Sequence, residues 1–201
     1  MNVFIVYAHP CEDSFTREAR DSFVAGLESA GHSYVISDLY KMSFITDMSE
    51  AEYLREAYYR SDVPVPADVV IEQEKINSSG AVVFIFPLFW SDAPAKLVGW
   101  FDRVWTYGFA YGPKKDDGDS GRSMKQLEKA IILASAGNTI EYFNTTGIGD
   151  AMKKVTLEDR LFDRVKEKEM IIFEATSHEK EDRKLNWDKH LKRAFEIGAG
   201  L

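Results

Sequence analysis

Cysteine is nearly absent. Cys11 stands alone among 201 residues, so no internal disulfide and no multi-cysteine metal cage can form. Histidine is sparse as well. His9, His32, His178 and His190 show no His-x-x-x-His or similar ligand spacing, which argues against a metal centre. Positive charge is in deficit, with 25 Lys and Arg against 33 Asp and Glu and a formal net charge of −8. That balance leaves no basic excess to neutralise phosphates, so a dedicated nucleic-acid binder is excluded as the main reading. No apolar run approaches the ~20 residues that a membrane helix needs. The first strand-like run, Val3 to Tyr7, is preceded by no basic region and followed by no cleavage-site pattern. The expectation is a soluble protein in a reducing, cytoplasmic environment.

Several catalytic signatures are also missing. There is no Gly-x-Ser-x-Gly elbow, no Gly-x-Gly-x-x-Gly and no P-loop pattern. A serine hydrolase, a dinucleotide-binding Rossmann site and an NTPase are therefore disfavoured. A phosphoacceptor receiver would need acids after the first strand and an Asp ending the third. His9 and Pro87 stand there instead.

What is present is a set of short apolar runs: Val3–Tyr7, Tyr34–Ile36, Ala81–Phe86, Ala130–Ala134 and Met170–Phe173. They do not alternate with polar residues, as expected of strands covered on both faces by helices. Helical stripes lie between them. Phe15, Ala19, Phe23, Leu27 and Ala30 recur one turn apart, with Ser14 as N-cap and Gly31 just past the end. Leu97, Val98, Phe101, Val104 and Trp105 form a second stripe. Leu157, Leu161, Phe162 and Val165 form a third. Trp187, Leu191, Ala194, Phe195 and Gly198 form the last. Residues 67–76 predict a helix led by Asp68, Val69 and Ile71. Ser49 to Tyr59 looks helical, within an excursion after the second strand that Pro64 and Pro66 close. Gly112 to Gly121 reads as a solvated loop. The length suits one domain over residues 1–201. The β-α alternation with right-handed crossovers predicts a doubly wound, five-stranded parallel sheet of order 2-1-3-4-5.

Ligands in such sheets bind beyond the carboxyl ends of the strands, where strand order reverses. Three segments lie there. Ala8-His9-Pro10-Cys11-Glu12-Asp13-Ser14-Phe15 turns from a strand into a helix start, which suits a phosphate on free N–H groups or, equally plainly, a capped helix with a structural histidine. Pro87-Leu88-Phe89-Trp90-Ser91 places two large aromatics at a strand end. They suit a planar ring ligand, a dimer contact or core packing. Ser135-Ala136-Gly137, followed by Tyr142, allows close backbone approach and offers a phenol, or is an ordinary loop. Cys11 sits beside Glu12 and Asp13, which would raise rather than lower its pKa, so it reads as inert.

The stretch Phe86-Pro87-Leu88-Phe89-Trp90, Pro94, Gly99-Trp100-Phe101-Asp102-Arg103-Val104 and Gly108-Phe109-Ala110-Tyr111 closely resembles the NAD(P)H:quinone oxidoreductase family of flavodoxin-like flavoproteins. That family includes potassium-efflux ancillary proteins and drug-activity modulators. His9-Pro10 with Ser14-Phe15, Asp38-Leu39-Tyr40 and Ala67 to Gln73 also fit. The likeness covers residues 2–142 well.

The resemblance implies a flavin, FAD or FMN, with NAD(P)H as co-substrate. His9, Ser14, Phe15 and Thr16 would hold its phosphate end. Pro87, Leu88, Phe89, Trp90 and Ser91 would line the ring, and Ser135, Ala136 and Gly137 its pyrimidine edge. Tyr142 would stabilise the reduced flavin. The site would lie at a homodimer interface, with Tyr111 reaching in from the partner subunit. Hydride would pass from NAD(P)H to flavin N5, then by a ping-pong mechanism to a quinone, azo or nitro acceptor. The alternative is a regulatory flavoprotein subunit of a membrane transporter. Departures from the family pattern are specific. No histidine lies near Gly147-Ile148-Gly149. Ser91 replaces a ring-covering aromatic, Phe89 a glutamine, and Ala134 to Gly137 a Thr-Thr-Gly-Gly loop.

Overall fold

In the computed structural model, which describes residues 1–113, 121–177 and 183–201, five strands form one parallel sheet of order β2-β1-β3-β4-β5. The strands are β1 (Asn2–Tyr7), β2 (Ser33–Asp38), β3 (Ala81–Pro87), β4 (Leu127–Ser135) and β5 (Val165–Phe173). This is the predicted doubly wound, flavodoxin-like sheet. The helices are α1 (Phe15–Ser29), α2 (Glu50–Ala57), α3 (Ala67–Asn77), α4 (Ala95–Val104), α5 (Ile140–Thr145), α6 (Ile148–Lys153) and α7 (Arg183–Ala199). A π-helical turn, Lys154–Leu161, and a 3-10 turn, Phe162–Arg164, join α6 to β5. No helix among the described residues is long and apolar enough to cross a membrane.

The sheet divides two cores by strand alternation. Phe4 and Val6, Val82 and Phe84, and Ala130 and Ile132 pack with Leu97, Trp100 and Val104 of α4. Val3, Ile5, Val83, Ile85, Ile131 and Leu133 pack with Phe15, Phe23 and Leu27 of α1 and Trp187 and Ala194 of α7. β3 is buried along its whole length, as its unbroken apolar run requires. Both edge strands are partly solvated, and in β5 the buried Val165 is followed by exposed Lys166 and Glu167.

Two helix contacts set the frame. Gly26 and Gly198 bring α1 and α7 close: a Cβ on Gly26 would lie 2.1 Å from the Phe195 carbonyl oxygen, and one on Gly198 2.2 Å from that of Phe23. On the other face, the buried carboxylate of Glu72 accepts from Ser37 Oγ (2.9 Å), Lys75 Nζ (2.6 Å) and Trp100 Nε1 (2.9 Å). The buried Arg103 donates to Glu52, Asp68 and the Ile45 carbonyl. It thereby fastens the excursion after β2 to α4.

Several expectations need correction. The helix expected over residues 67–76 is α3, which buries Val69, Glu72 and Ile76 and leaves Ile71 half-exposed. Ala30 is exposed past the α1 stripe. In the third stripe, Leu161 closes the π-helical turn, Phe162 is exposed with φ 41°, and Val165 already belongs to β5. That strand is longer than its apolar core because Val165 to Glu169 pair with β4 despite their charges. The Gly112 to Gly121 loop falls largely outside the described residues, as does His178.

Candidate active site

The carboxyl ends of β1, β3 and β4 are tied together by short bonds. Ser14 caps α1, its Oγ accepting from Arg17 N at 3.2 Å. The N–H groups of Phe15 and Thr16, in the first turn, have no intrahelical acceptor and face the dipole's positive end. Thr16 Oγ1 meets Ser135 Oγ at 2.7 Å in a buried contact joining the first loop to the end of β4. Leu88 N donates to the Ser135 carbonyl at 2.8 Å, which joins β4 to the loop after β3.

His9 folds back on its own loop. The Cys11 N–H and the Cys11 carbonyl oxygen both lie 3.0 Å from His9 Nδ1, so this nitrogen accepts from the one or donates to the other according to its tautomer. Burial pushes the imidazole below its ordinary pKa, partly offset by that backbone contact. Glu12 and Asp13 are exposed. Tyr7, buried at the end of β1, has its phenol pushed up to about 12 by burial, a shift that Ser14 opposes.

The loop after β3 is a two-residue hairpin. Phe89 N donates to the Asp92 carbonyl at 2.9 Å and Asp92 N to that of Phe89 at 3.0 Å. Trp90 and Ser91 both take positive φ, 52° and 64°. This geometry suits glycine, asparagine or aspartate, and side chains there store strain. The Trp90 ring is fully exposed, at 102%, while Phe89 is 45% and Tyr142 41% exposed. Uncovered aromatic surface so concentrated marks a binding surface.

Sequence reasoning missed the clamp on this hairpin. Asp92 Oδ1 accepts from Ala93 N at 2.7 Å and from Arg160 Nη1 at 2.9 Å. Burial alone would raise the Asp92 carboxyl, but the Arg160 guanidinium and the Ala93 N–H outweigh it and hold it below the usual range. Arg160 also lies over the Phe101 ring, 5.5 Å from its centroid. Beside the clamp, Leu88, Ser91, Ile148 and Met152 help line an apolar cavity of about 170 Å³.

The residues expected at the site separate into two groups. Phe15, Thr16, Pro87, Ser135 and Ala136 are buried and offer backbone groups rather than free side chains. Phe89, Trp90, Ser91, Gly137 and Tyr142 are open to solvent, wholly or in part. Tyr111 lies apart, on the loop after α4. Its hydroxyl donates to Glu56 Oε2 at 2.7 Å, and burial together with that carboxylate pushes its pKa far up. It lines an open, polar cavity with Phe101, Trp105 and Arg160. The residues present fit a flavin: α1 offers unpaired N–H groups for a phosphate, and the Trp90 hairpin offers a bare ring face.

A family model described as flavodoxin-like fold matches residues 1–196. The chain superposes on the NAD(P)H:quinone oxidoreductase from Methanothermobacter marburgensis with a TM-score of 0.90 and 43% identity, covering 100% of this chain and 96% of that one. It is 33% identical over 165 residues to the ribosyldihydronicotinamide dehydrogenase (quinone) of Homo sapiens, covering 74% of this chain and 69% of that one. It is 32% identical over 174 residues to the ribosyldihydronicotinamide dehydrogenase-like protein traD of Penicillium crustosum, covering 77% of this chain and 64% of that one. The chain thus spans about two thirds of the length of these two curated relatives. Fold, hairpin and relatives converge, and the chain belongs to the flavodoxin-like NAD(P)H:quinone oxidoreductase family.

Proposed function

We propose that this chain is a flavin-dependent NAD(P)H oxidoreductase that reduces quinones or related azo and nitro acceptors. The observation that carries the reading is the wholly exposed Trp90 on a strained left-handed turn after β3, the strand paired with the β1 that leads into α1, at the sheet's switch point. The names of the relatives support the reaction class. One is named an NAD(P)H:quinone oxidoreductase, one a dehydrogenase acting on quinone and one a dehydrogenase-like protein.

The residues that would hold the flavin follow from their placement. Ser14, the N–H groups of Phe15 and Thr16, and His9 through Nε2 would take the phosphate end. Leu88 to Ser91 would lie against the ring, and Ser135, Ala136 and Gly137 along its polar edge. A bound flavin supplies two-electron transfer between a nicotinamide and an acceptor, chemistry no side chain here can perform. The chain's own share is orientation and electrostatics. Tyr142 would offer a phenol donor where negative charge develops, and Trp90 would keep water from one ring face. A homodimer would bring Tyr111 of one subunit toward the site of the other, its hydroxyl already fixed by Glu56.

The test is direct. Purified protein is heated, and the mass of the released cofactor is measured beside NADH- and NADPH-driven reduction of a soluble quinone. FMN or FAD in near-stoichiometric amount, with quinone-dependent NAD(P)H oxidation, is the expected result. A colourless protein that takes up neither flavin overturns the reading.

A further inference from the structure

A third cavity lies at the outer edge of the sheet, sharing Met170 with the apolar cavity beside the Trp90 hairpin. It is about 320 Å³ and opens between α6 on one face and α7 on the other, against the free edge of β5. Its floor is apolar, built of Phe143, Met170 and Ile172. Its rim is basic. Lys153 comes from α6, and Lys189 and Arg193 come from α7, one helical turn apart. All three are exposed, and among the described residues none has an ion pair or a side-chain hydrogen bond.

Two further polar groups line it. Glu174 is committed: Oε2 accepts from Ile140 N at 2.6 Å, and its carbonyl accepts from His190 Nε2 at 3.0 Å. A carbonyl only accepts, so the His190 proton sits on Nε2. His190 is 5% exposed, and its Nδ1 is buried with no hydrogen-bond partner. Among the described residues, the lining of the cavity carries three cations against one carboxylate, in a chain whose net charge is −8. Basic groups that find no carboxylate partner in so acidic a protein form a local positive field, which an apolar floor strengthens by excluding water.

We infer that this cavity, framed by Lys153, Lys189 and Arg193 over Phe143, Met170 and Ile172, is a binding site for a small amphipathic anion: a carboxylate or phosphate carried on a short apolar body. The anionic end would meet the three cations, and the body would cover the apolar floor. The residues are separate from those that would hold a flavin, so the inference goes beyond the function proposed above.

The experiment uses the purified 201-residue chain and two probes, cyclohexanecarboxylate and inorganic phosphate. The former carries the apolar body without a flat ring that could stack on exposed aromatics. The amide NMR signals of Gly149 and Lys153 are followed at low ionic strength. Cyclohexanecarboxylate should shift them saturably, and the double variant Lys153→Gln/Arg193→Gln should weaken that binding at least about tenfold. Phosphate should bind at least about tenfold more weakly than the carboxylate. Absence of a saturable shift, or equal affinity in the double variant, overturns the site. Equal affinity for phosphate overturns the role of the apolar floor.

Discussion

The hydroxyls of Thr16 and Ser135 meet at 2.7 Å, buried, across 119 positions of sequence. One belongs to the first turn of α1, the other ends β4. Through this contact the helix start that would receive a phosphate and the turn that would meet the ring edge keep one fixed separation.

Thr16→Val removes one partner and strands the other in a buried place. Destabilisation of about 1–3 kcal/mol is expected from urea unfolding, with a lower bound-flavin fraction after dialysis. The Thr16→Val/Ser135→Ala double variant should cost less than the sum of the two single changes. Strict additivity would show that the contact carries no coupling energy.

The strained hairpin separates stability from binding. Trp90→Gly and Ser91→Gly each relieve a positive φ and should raise stability by about 1 kcal/mol. Only Trp90→Gly removes ring surface, so only that variant should lose flavin on dialysis. Equal flavin loss in both would place the effect in the backbone, not the ring.

Arg160 and Asp92 form a partly exposed pair, the Arg160 side chain 16% and that of Asp92 49% exposed. Arg160→Gln should therefore change the unfolding free energy by less than about 1 kcal/mol. It should still loosen the hairpin, visible as flavin dissociation about tenfold faster, equivalent to 1.4 kcal/mol. Stopped-flow dilution into apo-flavodoxin as a trap measures it. An unchanged rate would remove the clamp from the site.

Tyr142→Phe keeps the ring and removes the donor. Because the phenol acts where charge develops, flavin reduction by NADPH should slow by about tenfold or more while flavin affinity changes little. A fall in affinity with an unchanged reduction rate would make Tyr142 a binding residue only.

His9 and His190 should make the fold acid-sensitive. Burial holds both below the ordinary histidine value, and Lys189 and Arg193 push His190 further down against the opposing effect of Glu174. The remaining walls around His190 are the rings of Phe15 and Phe173. The unfolded chain therefore takes up protons first as pH falls. Their stabilisation is complete above about pH 6.5 and is lost as pH drops through the lower folded values. Glu52, Asp68 and Asp92 are held below the usual carboxylate range and give up theirs only in stronger acid. The urea midpoint should drop between pH 7 and 5, with a shallower drop in His190→Gln.

The parallel sheet was legible because β1, β3 and the middle of β4 are unbroken apolar runs, and Ser14 and Gly31 bracket α1. The segments nearest the site could be named from strand order alone. Elsewhere local pattern fails where partners are distant or where edges are wet. Val165 continues a helical spacing but pairs with Leu127, which no periodicity reveals. Ile71 is apolar yet exposed, because the Trp100 indole and Lys75 give Glu72 the inward place. The Arg160 clamp spans 68 positions and leaves no mark on either local sequence.

The outer strand β5 resists the addition of a further strand. Lys166 and Glu167 lie near the start of β5 on the solvent side, and Lys166 binds Glu128 of the neighbouring strand at 2.8 Å. An incoming chain trying to add a sixth strand would have to bury alternating charges with no matching row. Growth of ribbons from this margin is thereby discouraged.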